Sequence, residues 1–409
     1  MIKSMKYFSR RSFLQDTASL GLGAAAFGLP MFRSSPALAA LRIKIGVGLG
    51  TETAPLVITI EKERLLEQAA KEIGTEAIEP EYLSFAALLR MLQGIAAGQL
   101  QFGNLGSTPT IRTLSNPRAA IPVAIAGGGN NFPLQVPVGS PIKNLDDLKG
   151  KTILTLVASD LHLVLLLMLK AHFGTDDVKK LGITVMNIQA HTELTIPRKG
   201  IDAVVSDEPH GRAAELAGNM VTVLRNSGET GDAYDGPEGK GAGHFVESFK
   251  TTPFYPEAYY PHRLWWVVRK PFLQEHPKAV TAFLIANARA TKIMSKKSVD
   301  EVIACCAKYW YGDAEAQRPF VKRILWRRRG WGWITEGDAN SLVGLSKNKK
   351  IYDTPLTKER VKEVMKLGAE VSKAAWEHVG RDPAMEVFTD PKAGDVRGLP
   401  TWEIARWSF

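Results

Sequence analysis

ALLRMLQGIAAGQLQFGNLGSTPTI, residues 87–111, changes its hydrophobic period twice. Phe85, Leu88, Leu89 and Leu92 form one stripe at helical spacing, with Ser84 placed to cap that helix and Gly98 to end it. LQFGNLG then reads as a strand. STPTIRTLS, from Ser107, opens another helix, and Pro109 suits its first turn, where a missing N–H costs nothing. Helix, strand and helix in succession, with the small polar corner Gly106-Ser107-Thr108-Pro109 before the last, form a unit of an α/β sheet.

The same alternation extends both ways. Upstream, LRIKIGVG puts Leu41, Ile43, Ile45 and Val47 on one face with a period of two. EKERLLEQAAKEIG follows as one helix, Glu61 to Gly74, and EPEYL as a short strand. Downstream, AAIPVAIAGGGNN leads into PLQVPVGSPIKNLDDLKGKTIL, which reads as strand, turn, short helix, strand. LHLVLLLMLKAHF, Leu161 to Phe173, reads as a helix buried on most sides, because His162, Lys170 and His172 interrupt its apolar run. ITVMNI, IDAVVS and MVTVLRN continue the strands. Such order predicts parallel-rich sheets with helices on both faces. Gly228–Gly243 reads as a long polar loop. Beyond Thr354 a helix resumes, and the chain ends in an irregular tail with Trp402 and Trp407.

The N-terminus has a different character. SRRSFL, Ser9 to Leu14, precedes a run from Thr17 to Leu29 that carries no charge. That run is shorter than the ~20 apolar residues of a spanning helix. Ala37-Leu38-Ala39 supplies a small-x-small cleavage site, so residues 1–39 read as a secretory leader of the twin-arginine kind. Its removal takes away five basic residues and one acidic one, lowering the formal charge from +10 to +6. Net charge of that size attracts anions without identifying nucleic acid as a partner. The WRRRGWGW run, Trp326 to Trp333, reads as a basic turn with its tryptophans tucked into a core, in preference to a base-stacking platform. The remaining chain of about 370 residues exceeds what one core usually serves, which favours two lobes. Cys305 and Cys306 are adjacent, a spacing that strains a bridge, so no disulfide framework and no zinc motif are expected.

Three strand-to-helix corners carry small polar residues: Gly50-Thr51-Glu52-Thr53-Ala54-Pro55, the Ser107 corner, and Ala158-Ser159-Asp160-Leu161-His162. Helices starting there aim unpaired N–H groups and a partial charge of about +0.5 at whatever faces them. Hydroxyls of Ser107, Thr108 and Ser159 add donors, and together the corners make a seat for an anionic head group. Taken singly, each corner is explained by ordinary N-capping. Binding needs all three to face one cleft. A fourth segment, IDAVVSDEPHGRAAE, sets Asp207 and Glu208 beside His210. These are either an acid/base pair or the cap of a helix beginning at Pro209. His162, His191, His210 and Asp207 offer metal-ligand chemistry, but no pair has the local spacing of a metal motif, and no metal or other cofactor is expected.

These segments resemble the periplasmic substrate-binding proteins of ABC importers, the nitrate, alkanesulfonate and taurine group, which includes binders of thiamine pyrimidine precursors. The stretch quoted first looks like that group's helix, strand and G-[DS]-T-P corner. VGSPIKNLDDLKGKTI is similar to its DSPIKSLADLKGKKI segment, and HRLWWVVRKPFLQEHPKAVTAFLIA resembles its return strand and the following helix. The resemblance implies a type II two-lobe binding-protein fold, α/β, with mostly parallel sheets, two hinge crossovers and an extra C-terminal helical region. The expected division is 40–130 and 241–345 for the first lobe, 131–240 for the second, and 346–409 for the extension. Carried over, Thr51, Glu52 and Thr53 fall on the first corner, Ser107 and Thr108 on the anion-contacting one, Ser159 and His162 on the third. Where many members read W-D-P-Y, this chain has Asp207-Glu208-Pro209-His210. Acid and imidazole in place of an aromatic wall imply a ligand tail that is more polar or positively charged, and Glu52 reinforces that.

The resulting expectation is a periplasmic, monomeric, non-enzymatic solute-binding protein for a sulfonate, taurine or nitrate. Its partners would be an inner-membrane ABC permease and, during export, the twin-arginine (Tat) translocase. Two alternatives stay open. One is a sulfinate desulfinase-like hydrolase, which would need Cys305 or Cys306 as nucleophile in the cleft. The other is a ligand-sensing subunit.

Overall fold

A computed structural model describes residues 40–380 except 49, 86–87, 116–119, 189, 225–261, 325, 327–331 and 335. Residues 1–39, read above as a leader, and Gly228–Gly243, read as a loop, lie outside the described residues, as do Trp402, Trp407 and Arg327–Trp331 of the tryptophan-arginine run.

Ten strands follow in chain order. The first four are β1 (Leu41–Val47), β2 (Ile78–Ser84), β3 (Phe102–Gly106) and β4 (Ala120–Gly128). The next five are β5 (Leu134–Pro137), β6 (Thr152–Thr155), β7 (Thr184–Asn187), β8 (Ala203–Val205) and β9 (Met220–Leu224), and β10 is Arg263–Arg269. They build two five-stranded sheets, ordered β2-β1-β3-β10-β4 and β7-β6-β8-β5-β9. β1 lies parallel to β2 and β3, and β10 runs antiparallel to both β3 and β4. In the second sheet β6 lies parallel to β7 and β8, and β5 runs antiparallel to β8 and β9. One strand per sheet therefore opposes the other four, and it is the strand laid down when the chain crosses over from the other sheet. The same plan is used twice, giving two α/β lobes.

Burial explains why these stretches are strands. In β1, Ile43, Ile45 and Val47 are buried while Arg42 and Lys44 face solvent. β4 is buried at every position although it ends its sheet. Its outer edge is covered, because the Ile125 N–H donates to the Gly332 carbonyl at 2.6 Å.

Helices pack around the sheets. α1 (Ala54–Lys62) and α2 (Leu65–Glu72) replace the single helix read from Glu61 to Gly74. The break is Arg64, whose φ of 55° is left-handed. Nothing in the side-chain pattern marks that turn. α3 (Leu88–Ala96) buries Met91 and Ile95. Ser84 is the last residue of β2, so it does not stand at this helix's start. α4 (Ser107–Ser115) and α5 (Asp160–Phe173) begin at the second and third corners. α5 buries Leu161, Leu163, Val164, Leu165, Leu166, Met168 and Leu169, as its apolar run implies. α6 (His210–Leu216) is followed in the first lobe by α7 (Lys270–Glu275), α8 (Pro277–Ser295), α9 (Val299–Cys306) and α10 (Ala314–Arg323). α11 (Glu336–Leu345) and α12 (Lys358–His378) complete the described chain. No helix among the described residues is long and apolar enough to cross a membrane.

The C-terminal extension touches both lobes. α12 packs on β4 and α8 of the first sheet. Gly368 makes this approach possible, since a Cβ there would stand 2.4 Å from the Pro122 carbonyl oxygen. Before α12, Asn348 donates to Asp176 at 3.1 Å and Lys350 to Asp177 at 3.2 Å, just past the end of α5. A continuous apolar core runs from Leu105, Ile111 and Leu114 to Leu161, Val164 and Leu165, so the lobes meet over apolar surface as well.

Both cysteines are free thiols on α9. Cys306 sits in the first lobe's core, where burial pushes its pKa far up. The hydrogen bond from Cys306 brings Cys305 down to about 7 against its own burial, and Lys62, Lys297 and Lys308 assist. Iodoacetamide should therefore modify one cysteine of the native protein, at a rate that rises through about pH 7, and reach the second only after unfolding. Mass spectrometry after quenching reads this out, and equal labelling of both native thiols would contradict it.

Candidate functional site

The second and third corners meet across the two lobes. The Asp160 carboxylate, from the first turn of α5, accepts the Ser107 N–H at 3.2 Å and the Thr108 N–H at 2.7 Å. These are the leading N–H groups of α4, donors with no partner inside their own helix. Asp160 is thus bound as an anion at a helix N-terminus of the opposite lobe. Glycine at 106 permits this: a Cβ there would lie 2.3 Å from Asp160 Oδ2. Ala158 helps to aim the carboxylate, with a left-handed φ of 62° that costs a non-glycine residue about 1–2 kcal/mol.

The first corner closes the other side. Glu52, 1% exposed, lies with Oε1 3.3 Å from His262 Nδ1. His262 Nδ1 also accepts the Asn130 N–H at 3.4 Å, and its Nε2 lies 3.7 Å from Asp160 Oδ2. Glu52, His262 and Asp160 form a buried row from one lobe to the other. Asn104 joins the first two corners by donating to Thr51 and Thr53 at 3.3 and 3.1 Å. The indoles of Trp310 and Trp326 hold the corner's backbone, donating to the Thr51 and Glu52 carbonyls at 3.1 and 2.8 Å.

The crossover between β4 and β5 borders the same region. Asn130 donates to the Glu208 carbonyl at 3.0 Å, and Asn131 to the Glu208 carboxylate at 3.3 Å. Phe132 stands edge-on to His262, with centroids 5.0 Å apart. Tyr352, from the C-terminal extension, brings its hydroxyl to Thr108 and Asp160, and burial raises its pKa well above the phenol range. Three buried oxygens here, Glu52 Oε1, Thr108 Oγ1 and Tyr352 Oη, have no well-formed hydrogen bond among the described residues. Buried polar atoms in that state call for a partner.

The residues singled out from sequence divide into four groups. Glu52, Ser107 and Thr108 gather around Asp160 and His262, while Glu208 bonds to Asn130 and Asn131 of the bordering crossover. Thr51 and Thr53 brace their corner: Thr51 Oγ1 donates to the Gly48 carbonyl and Thr53 Oγ1 to the Ala126 carbonyl. Ser159 and His162 share the third corner but are turned to local bonds. Ser159 caps α5 through the Leu161 N–H, and His162 Nδ1 accepts the Ala158 N–H while burial lowers its pKa. Asp207 belongs to a separate cluster with His191 and His210. Burial opposes its charge, but both imidazoles outweigh that and hold its pKa well below the usual carboxylate range. Neither Asp207 nor Glu208 caps a helix, and α6 begins at His210, one residue past Pro209.

The expected open anion seat is filled by Asp160, because two buried helix donors need an acceptor. The sequence names Asp160 only as a member of the third corner, and does not single out His262, Asn104 or Tyr352. His262 does stand at the head of HRLWWVVRK, where its strand begins. Cys306 lies in the apolar core and Cys305 beside lysines, apart from the Asp160 row.

The two mixed sheets, with helix starts from both lobes facing one another, define a two-lobe binding-protein fold. The profile of the family described as NMT1/THI5 like matches residues 81–299, more than half the chain, and the protein belongs to that family. The taurine-binding periplasmic protein of Escherichia coli (strain K12) is 29% identical over 217 residues, 52% of this chain. The match spans 56% of that relative, little over half its length. The periplasmic aliphatic sulphonate binding protein SsuA from Escherichia coli aligns with a TM-score of 0.56 at 15% identity, over 79% of this chain and 92% of that one. The periplasmic nitrate-binding protein NrtA from Synechocystis PCC 6803 gives 0.57 at 13% identity, over 88% and 92%. At such identities the structural likeness is one of fold.

Proposed function

We propose that this protein is the periplasmic solute-binding component of an ABC importer, exported by the twin-arginine pathway and working as a monomer. In this reading the lobes divide at 130/131, 240/241 and 345/346. The solute is a small sulfonate, taurine or nitrate-like species, and a zwitterion of the taurine kind suits the cleft best. The observation that carries this choice is Asp160 on the Ser107 and Thr108 N–H groups. A solute's anionic group would take over those two donors. The displaced Asp160, with Glu52 beside it, would then face the solute's ammonium group. A plain anion offers the displaced carboxylate nothing.

Affinity in the micromolar range needs only about 8 kcal/mol. A few charge-assisted hydrogen bonds at roughly 1.5–3 kcal/mol each, less the cost of ordering, supply it. The test is a thermal-shift screen of the leader-free protein against taurine, alkanesulfonates, nitrate, carboxylates and amines. Taurine-like zwitterions should stabilise most. Absence of stabilisation by any small anion or zwitterion, in a folded sample, would count against solute capture. The hydrolase alternative needs a cysteine at the cleft, and the positions of Cys305 and Cys306 favour binding instead.

A further inference from the structure

Three side chains from separate elements of the second lobe converge outside the Asp160 row. His191 opens the short 3-10 turn His191–Leu194 after β7, Asp207 follows β8, and His210 begins α6. Asp207 Oδ1 lies 3.1 Å from His191 Nδ1 and 3.2 Å from His210 Nδ1. One ligand atom from each residue lies within 4.8 Å of the other two, and the imidazole centroids are 5.4 Å apart.

Hydrogen bonding accounts fully for only one of the two imidazoles. His191 bonds Asp207, but the buried His210 Nδ1 makes no hydrogen bond even at 3.2 Å from the same oxygen. That nitrogen faces the oxygen with poor donor geometry, as two ligands of a common centre do. The observed N–O separations approach the edge of about 3.3 Å that tetrahedral ligands make around an ion at roughly 2.0 Å. The rings are also held from outside. His210 stacks on Tyr311 at 4.6 Å and 17°, and the Tyr311 hydroxyl meets Thr195 at 3.3 Å. Tyr311 comes from the first lobe's second segment, so the cluster sits where the lobes touch.

We propose that His191, Asp207 and His210 form a binding site for a borderline divalent transition-metal ion of the zinc class. Two imidazoles and one carboxylate suit such an ion better than magnesium or calcium, which prefer all-oxygen shells. Three protein ligands leave a coordination position for water or another donor. Occupation would lock α6 to the turn after β7, and through Tyr311 would favour the closed arrangement of the lobes. The proposal stands independently of which solute the cleft takes.

The experiment uses the leader-free protein, stripped with chelator, desalted and titrated with Co(II) as the optical probe. One equivalent should give the intense visible bands of a four- or five-coordinate centre, bleached by one equivalent of Zn(II). Zn(II) should also raise the unfolding temperature. His191→Gln, Asp207→Asn and His210→Gln should each weaken cobalt binding by more than about 100-fold, a loss already reached on removing an outer-shell partner. His276→Gln is the control, since His276 faces a single carboxylate, Glu76, at 2.9 Å. It should bind as the parent does. Circular dichroism identifies any variant that fails to fold, and the parent titration decides the question without one. No cobalt band and no zinc-induced shift in the parent, or undiminished binding by folded His210→Gln, would overturn the proposal.

Discussion

Asp160→Asn should invert the solute preference. The amide keeps the side chain's shape but removes the charge that occupies the Ser107 and Thr108 donors. Simple monoanions such as alkanesulfonates and nitrate should then bind about 10- to 100-fold more tightly, because each charge-assisted bond is worth roughly 1.5–3 kcal/mol and no carboxylate competes for the donors. A taurine-like zwitterion should lose affinity by a similar factor, since its ammonium group loses a counter-charge. Isothermal titration at constant ionic strength compares the two classes. Parallel changes for both would show that Asp160 does not select between them.

Asp338→Ala should cause the largest loss of stability. Arg263 Nε meets Asp338 Oδ1 at 2.6 Å, and both side chains are inaccessible to solvent. Removing one member of a buried ion pair costs about 3–5 kcal/mol. For a chain of this size that lowers the melting temperature by about 5 °C. The loss should reach the site as well, because Arg263 also donates to the His262 carbonyl at 3.1 Å and its own carbonyl accepts from Ser107 Oγ at 3.4 Å. Replacing both members, Arg263→Met with Asp338→Leu, should recover much of the stability, as buried pairs often tolerate apolar substitution. Urea unfolding of the single and double variants measures this, and a double variant no better than Asp338→Ala would contradict it.

The alternation of periods was enough to read the α/β class, since β1 buries Ile43, Ile45 and Val47 as its spacing implies, although α3 buries Met91 and Ile95, which lie outside the stripe read for it. Strand order was not legible. β5 and β10 insert antiparallel because they follow crossovers, and a crossover leaves no local pattern. The turn at Arg64 escaped notice because an arginine at φ 55° carries none of the glycine or asparagine signal of left-handed backbone.

At the site, helix starts were readable from Ser107, Pro109 and Ser159. The part played by Asp160 was not, because an acid in a helix's first turn has the same sequence signature whether it serves its own helix or another. Tyr352 precedes the helical pattern of the C-terminal extension, and no local signal marks it. His191, Asp207 and His210 stand 16 and 3 positions apart, and only the second lobe's fold unites them.

The central claim is that a solute's anionic group replaces the Asp160 carboxylate on α4. A crystal structure of the leader-free protein with the zwitterion that stabilises it most tests this directly. The anionic group should lie on the Ser107 and Thr108 N–H groups, with Asp160 moved to the ammonium end. A solute bound elsewhere, with Asp160 still holding both N–H groups, would contradict it.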